Sequence, residues 1–342
     1  LIQTDFLIIG QGIAGTLLSH ELLRLGKTVM VIDKSKPNKS SLVAGAVLNP
    51  MAGKHWSPSP QAETFLPKAI ETYRQIEGIL GISILKETRL NVFHENDEKR
   101  IQFEKQISAF PQYFEEGIGS NENFFIDEFG CGTIKGLYQV NAETLLNGWQ
   151  QYLKEQDCFI DAEFDFHQIE ILPNRISYQD ITASKIVFCT GAEAASSPFF
   201  QCLPFTKNRG EALILSIPEL PTDAIYHKQL RLVPKGNDLF WCGSNYVWNF
   251  DDLEPNEVWK ADAIKDLQQW LKLPFEVKDH IVAQRPTTAG QIPIVGMHPQ
   301  LNTAAIFNGL GTRGFSSGPF WAGELAKQLL NADYQIPHIN QL

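Results

Sequence analysis

Residues 5–10 (DFLIIG) form a short apolar run that stops on a glycine. Residues 13–26 (IAGTLLSHELLRLG) then repeat apolar side chains at helical spacing. Between the two lies Gly10-x-Gly12-x-x-Gly15, and a β-branched run at 28–33 (TVMVID) follows, ending in an acid. Gly26 stands where a helix C-cap belongs. Strand, glycine turn, helix, strand is the order of a β-α-β unit that binds a dinucleotide. Each glycine has its own task. Gly10 turns the chain, Gly12 admits pyrophosphate to the backbone, and Gly15 lets helix and strand pack closely. Ile13 and Ala14 open a helix whose free N–H groups and partial positive charge suit phosphate. Asp33, with Lys34 beside it, closes the second strand at the distance expected for an acid that bonds ribose hydroxyls. The motif alone does not say which dinucleotide is bound.

Further along, residues 40–56 (SSLVAGAVLNPMAGKHW) are small, glycine-containing and poor in charge, unlike a solvated loop. Helices are predicted over 61–80, over the charged segment 95–108, over 141–155 with Asn141 as N-cap, and over 255–272. The stretch 84–130 reads as strand-like and irregular, through RLNVFHE and NFFIDE. EFDFHQIEIL, RISYQDI and KIVFCTG predict a three-strand meander, and EALILSI, LRLVP and DLFWCGSNYVW further strands. The end of the chain repeats the opening pattern: AAIFNGLG, then GPFWAGELAKQLL. Two nucleotide-fold pieces with antiparallel material between them predict interleaved domains.

The chain has 342 residues, enough for a large core. Its 29 basic against 39 acidic residues leave a formal charge of −10, which disfavours a general nucleic-acid surface. Cys131, Cys158, Cys189, Cys202 and Cys242 are scattered and never spaced C-x-x-C. With no histidine pair at ligand spacing, no metal site is expected. The cysteine usage, the absence of a leader-like start and the absence of a long apolar stretch predict a soluble, cytoplasmic protein away from membranes.

The run 186–192 (IVFCTGA) is a buried strand entering T-G-A, and alone it is an ordinary core strand with a turn glycine. Taken with the opening motif, it resembles the D-amino-acid oxidase superfamily of FAD-dependent oxidoreductases, the group that includes glycine oxidase and sarcosine oxidase. Cys189 stands where that motif usually has alanine. Other similarities follow in family order. SLVAGAVLNP (41–50) resembles the loop that wraps the flavin, and YQVN (138–141) the short strand before a helix. Arg209-Gly210-Glu211, Leu232-Val-Pro234 and Gly243-Ser244 resemble substrate-domain elements, and QRPTT (284–288) with IPIVG (292–296) resembles the R-P-x-T…P-x-I-G segment.

The resemblance implies a mixed α/β fold, with a Rossmann-like FAD-binding domain interleaved with an antiparallel-sheet substrate domain. The first would take residues 1–80, 136–200 and 286–342, the second 81–135 and 201–285. It implies FAD as cofactor, with Gly10, Gly12, Ile13, Ala14, Gly15, Asp33, Lys34, Ser41, Ala44, Gly45, Val47, Gly191, Gly311, Thr312, Arg313, Gly314 and Phe315 against it. The implied chemistry is oxidation of an amine C–N bond by hydride transfer to flavin N5, after which the imine hydrolyses. A carboxylated amine then calls for a cation, and the planar arginine fork suits it best.

Arg285 fits that role, because its R-P position resembles the substrate-carboxylate arginine of glycine oxidase; a structural ion pair between domains is its other reading. Arg313, in the glycine-rich turn 309–314, reads as a group near the flavin or as a loop arginine. Arg231 precedes L-V-P, where amino-acid oxidases often carry a substrate-facing tyrosine. Lys54, His55 and Tyr246 are further candidates, while Trp56, Trp241 and Trp248 read as core or cavity wall.

The tail NGLGTRGFSSGP (308–319) also resembles the FAD domain of the bifunctional enzyme that makes 5-methylaminomethyl-2-thiouridine in tRNA. A stand-alone oxidoreductase acting on the tRNA wobble uridine is therefore an alternative, although the acidic balance offers tRNA no visible surface. A non-catalytic FAD-binding subunit of a heteromeric amine dehydrogenase is another. The first reading is a small-molecule amine or amino-acid substrate.

Overall fold

A computed structural model describes residues 1–34, 36, 39–52, 56–59, 61–117 and 123–337 of the chain. The opening apolar run becomes the strand Ile2–Ile9, whose last four residues are all buried. Phe6 and Ile8 meet the helices on one face, and Leu7 and Ile9 a separate apolar cluster on the other. A strand covered on both faces has no use for polar alternation, so its sequence is continuously apolar. It pairs in parallel with Val29–Asp33 and with Ile181–Phe188. Phe159–Asp161 extends the sheet beyond Val29–Asp33. The far side of Ile181–Phe188 is shared: antiparallel Ile176–Tyr178 takes its start and parallel Ala304–Asn308 its end. Ile169–Ile171 and Ile294–Met297 complete the sheet as antiparallel outer strands.

The helices Ile13–Arg24 and Gly314–Leu330 pack side by side, and Ala62–Leu80 lies against the second of them. Their contact is close at Gly318, where a Cβ would stand 2.8 Å from Leu17 Cδ1. The helix Ala142–Glu155 starts on its predicted cap, the Asn141 side chain accepting from Thr144 N at 3.0 Å. Trp149 of that helix donates its indole N–H to Ser19 Oγ at 2.8 Å.

The second sheet is mostly antiparallel. In spatial order it holds Glu276–Thr288, Phe205–Ser216, Leu239–Gly243, Arg231–Gly236, Ala224–His227, Leu85–Phe93, Cys131–Val140 and Val47–Leu48. Ala224–His227 pairs in parallel with Leu85–Phe93. Cys131–Val140 and Glu276–Thr288 run through residues 136 and 286 without a break, so a boundary at either point cuts a strand of this sheet.

Two predicted strands are different in the structure. Residues 123–128 make only a single bridge, Phe125 to Leu271. Phe125 is instead a fully buried plug stacked on Trp270 at 4.9 Å and packed on Phe93 at 4.5 Å. After Gly243 the chain leaves the sheet, and residues 244–248 keep one bridge, Arg209 to Val247. Around Phe125 aromatic packing replaces the ladder, whereas Tyr246 and Trp248 stay exposed; β propensity reports only that such residues fit a half-buried surface. No helix among the described residues is long and apolar enough to cross a membrane.

Candidate active site

A cavity of about 1030 Å³ opens where the parallel strands of the first sheet end and continues onto the second sheet. Ile9, Ile32, Asp33, Cys189 and Asn308 mark those strand ends; Gly210, Arg231, Trp241 and Arg285 belong to the second sheet. Its size exceeds the need of a small molecule alone.

At the strand ends the backbone itself forms the wall. Gly10 has φ 97°, and a Cβ on it would lie 2.5 Å from the Cys189 carbonyl oxygen. Gly15 does not touch the cavity; it sits beneath Gly10, where a Cβ would come within 1.9 Å of the Gly10 oxygen. The motif's third glycine is thus a packing requirement. The helix Ile13–Arg24 has no acid in its first turn; Ser41 Oγ accepts from Ile13 N at 3.0 Å. The helix Gly314–Leu330 also starts without a side-chain cap or an acid in its first turn. Its glycine turn is tied to T-G-A by Asn308, whose Nδ2 donates to the Gly191 carbonyl at 2.9 Å and whose Oδ1 accepts from Gly309 N at 2.8 Å. Two helix N-termini therefore face one cavity with N–H groups to spare. Thr190 Oγ1, on the same wall, is buried without a partner among the described residues.

Asp33 closes its strand as predicted and pairs with Lys39, a residue not singled out from the sequence. Burial lifts the Asp33 carboxyl above its usual range, and Lys39 opposes that rise. Lys34 and Lys36 at this rim pair with Glu163 and Glu193. Ala44, Gly45 and Val47 line the cavity under Trp241, whose indole N–H donates to the Val43 carbonyl at 2.9 Å. Burial pushes the Cys189 thiol far up, which keeps it protonated and inert.

At the other end stand Arg231, Arg285, Ser244 and Tyr246. The Tyr246 ring lies 4.5 Å from Arg285 Cζ. Glu211 borders this end but is engaged: Asn245 Nδ2 donates to it at 3.0 Å, Asn256 N at 2.8 Å, and His280 and Arg209 lie within 3.3 Å. The end is cationic and has a carboxylate already committed to the protein.

Of the residues predicted from the sequence, Gly10, Gly12, Ile13, Ala14, Asp33, Lys34, Ser41, Ala44, Gly45, Val47, Gly191, Gly311, Thr312, Gly314, Phe315, Arg231, Arg285 and Tyr246 all border this cavity. Arg313 does not: it is half-buried, and it serves the helix start through its carbonyl, which accepts from Ser316 and Ser317. Trp248 is exposed, and Trp56 packs edge-on against His227 at 5.2 Å. Lys54 and His55 lie outside the described residues. Ser244, noted in the sequence only as part of Gly243-Ser244, and Asn208, which gave no signal, hold Arg285; that role is invisible in the sequence because the partners are distant in the chain.

Residues 5–329 match the family model for FAD-dependent oxidoreductases of the DAO type. The chain is 20% identical to the uncharacterized oxidoreductase YurR of Bacillus subtilis, over 97% of this chain and 96% of that one. In fold it is similar to iminodiacetate oxidase of Chelativorans sp. BNC1, with TM-score 0.78, 20% identity and 97% of each chain covered. It is also similar to glycine oxidase of Geobacillus kaustophilus, with TM-score 0.79, 18% identity, and 99% and 100% covered. The glycine cradle, the paired helix starts and the unpartnered Thr190 hydroxyl fit a dinucleotide. The chain belongs to the DAO family of FAD-dependent oxidoreductases.

Proposed function

We propose that this chain oxidises the C–N bond of an amino acid or an N-substituted glycine unit. One observation carries the reading: a single cavity joins the glycine-lined strand ends to a wall bearing two guanidinium groups, Arg231 and Arg285. An anionic substrate fits that wall, because a cation already desolvated by protein attracts a carboxylate strongly. Bound FAD would supply the two-electron acceptor for hydride removal from the carbon beside the substrate nitrogen, leaving an imine that water would hydrolyse.

The rest falls to the chain's own groups. Gly10, Gly12, Ile13 and Ala14 would hold pyrophosphate at the first helix, with Asp33 and Lys39 at the ribose hydroxyls. Ser41, Ala44, Gly45 and Val47 would wall one side of the cofactor, and Gly191, Gly311, Thr312, Gly314 and Phe315 the other. Hydride transfer from a neutral amine needs orientation more than a base, and the committed Glu211 suits that economy. Glycine oxidase and iminodiacetate oxidase, similar in fold, act by name on units of this kind, which supports the reading.

Anaerobic mixing of the flavin-loaded protein with glycine, sarcosine, iminodiacetate and D-proline tests it. Bleaching of the flavin absorbance by at least one of these is expected. Bleaching by carboxymethylaminomethyl-modified tRNA alone would overturn the small-molecule reading.

A further inference from the structure

The wall that the second sheet gives to the cavity is built from very small residues. Gly210, Ala212 and Ala283 line it, and Ala212 pairs across the strands with Gly243. Alone, such residues would leave a broad substrate end, yet the space over the glycines is already taken. A Cβ on Gly210 would stand 2.0 Å from Arg285 Nη2. A Cβ on Gly243 would stand 3.0 Å from Cη2 and 3.1 Å from Cζ2 of Trp241. Another edge of the same indole covers a third glycine: a Cβ on Gly45 would stand 3.2 Å from both Cε3 and Cζ3. None of these three glycines has a positive φ, so room and not backbone conformation accounts for them.

Trp241 therefore lies across the place where the segment 41–50 meets the second sheet, and it is the one tryptophan among the described residues that line the cavity. Its ring is held there. The indole N–H donates to the Val43 carbonyl at 2.9 Å, and any other rotamer would separate that donor from its acceptor. Val233, its cross-strand neighbour, is buried and lines the same wall. Gly45 and Gly243 fix two edges of the ring, and the hydrogen bond fixes the nitrogen. A filler held at three points does not yield to a bulky ligand, and overpacking a filled wall is costly.

We infer that Trp241 is a specificity-determining residue: its locked indole narrows the substrate end and confines oxidation to amines whose reacting carbon carries no bulky side chain, as in a glycine unit. The inference rests on the amino-acid reading of the site given above and names the size class of its substrate.

The test titrates the flavin-loaded protein with acetate and with phenylacetate, read from the flavin difference spectrum. The same protein is mixed anaerobically with glycine and with D- and L-phenylalanine, and bleaching of the flavin is timed. In wild type, phenylacetate should bind roughly tenfold or more weakly than acetate, and phenylalanine should bleach the flavin slower than glycine by a similar factor. Trp241→Leu should raise the affinity for phenylacetate relative to acetate by roughly tenfold, and the phenylalanine rate relative to glycine likewise. Trp241→Phe keeps an aromatic filler but loses the N–H that locks it, so both ratios should shift the same way by a smaller factor. Where Trp241→Leu loses its flavin, the ratios in Trp241→Phe decide. A purely structural role would weaken both carboxylates and both amines alike; unchanged ratios in the variants overturn the inference alone. So does a wild type that takes phenylacetate as readily as acetate. A wild type that binds neither carboxylate and is bleached by none of these amines overturns it together with the amino-acid reading.

Discussion

Gly15 and Gly26 show how one residue type answers two physical demands. Gly15 has no room: its missing Cβ would lie 1.9 Å from the Gly10 oxygen, and the obstacle is backbone that cannot rotate away. Gly26 has room but an unusual conformation, φ 72°, with nothing within 4 Å of where a Cβ would stand. Gly15→Ala should therefore overpack the strand–helix contact and cost about 3 kcal/mol. Urea unfolding and flavin content measured together should both fall. Gly26→Ala should cost only about 1 kcal/mol, the scale of a left-handed residue, with flavin content unchanged. Equal effects of the two changes would count against the close-packing account of the motif.

Among the elements, the last helix depends on a partner from another part of the chain. Pro319 lies inside Gly314–Leu330 and has no N–H, so the Phe315 carbonyl one turn earlier lacks its helical donor. The Tyr73 hydroxyl supplies it, donating to Phe315 O at 2.7 Å from the fully buried face of Ala62–Leu80. The same side chain that packs the two helices thus completes the backbone of one of them. Tyr73→Phe keeps the ring and leaves the carbonyl unsatisfied, so a loss of roughly 1–3 kcal/mol is expected in urea unfolding. Asn141→Ala, which removes a predicted and observed cap, should cost about 1 kcal/mol by the same measurement.

The whole molecule carries buried imidazoles that set its response to acid. Burial holds His20 down at about 4, His94 at about 4 and His227 at about 3, against 6.5 for a free imidazole. Both ring nitrogens of His20 are buried without a partner among the described residues, beside Trp149. In the unfolded chain such a group binds a proton near pH 6.5, and in the folded chain only near pH 4. The unfolded state therefore binds more protons between those values, and stability is full above pH 6.5 and drains as pH falls. Each such histidine contributes up to about 1.4 kcal/mol per pH unit in that window. His20→Leu should flatten the fall of melting temperature between about pH 6.5 and 4.5 relative to wild type. Parallel curves for the two proteins would show that His20 does not contribute.

The β-α-β unit, its glycines, Asp33, the Asn141 cap and the order of the family-like segments were legible because they depend on residues close in sequence. A turn angle, a cap or a strand buried on both faces leaves its mark within a few positions. NFFIDE (123–128) had the right residues for a ladder but found aromatic packing instead, and the end of DLFWCGSNYVW (244–248) left the sheet with Tyr246 against Arg285 and Trp248 exposed. The substrate end of the cavity was legible only as a set of arginines. R-P pointed to Arg285, yet its four acceptors come from Asn208, Arg209, Ser244 and Asn245, brought to it by strand pairing across the second sheet. Which guanidinium is satisfied and which, Arg231, is left facing the cavity depends on acceptors scattered along the chain. That was decided by the tertiary structure, because a hydrogen bond depends on position in space and the chain order does not record it.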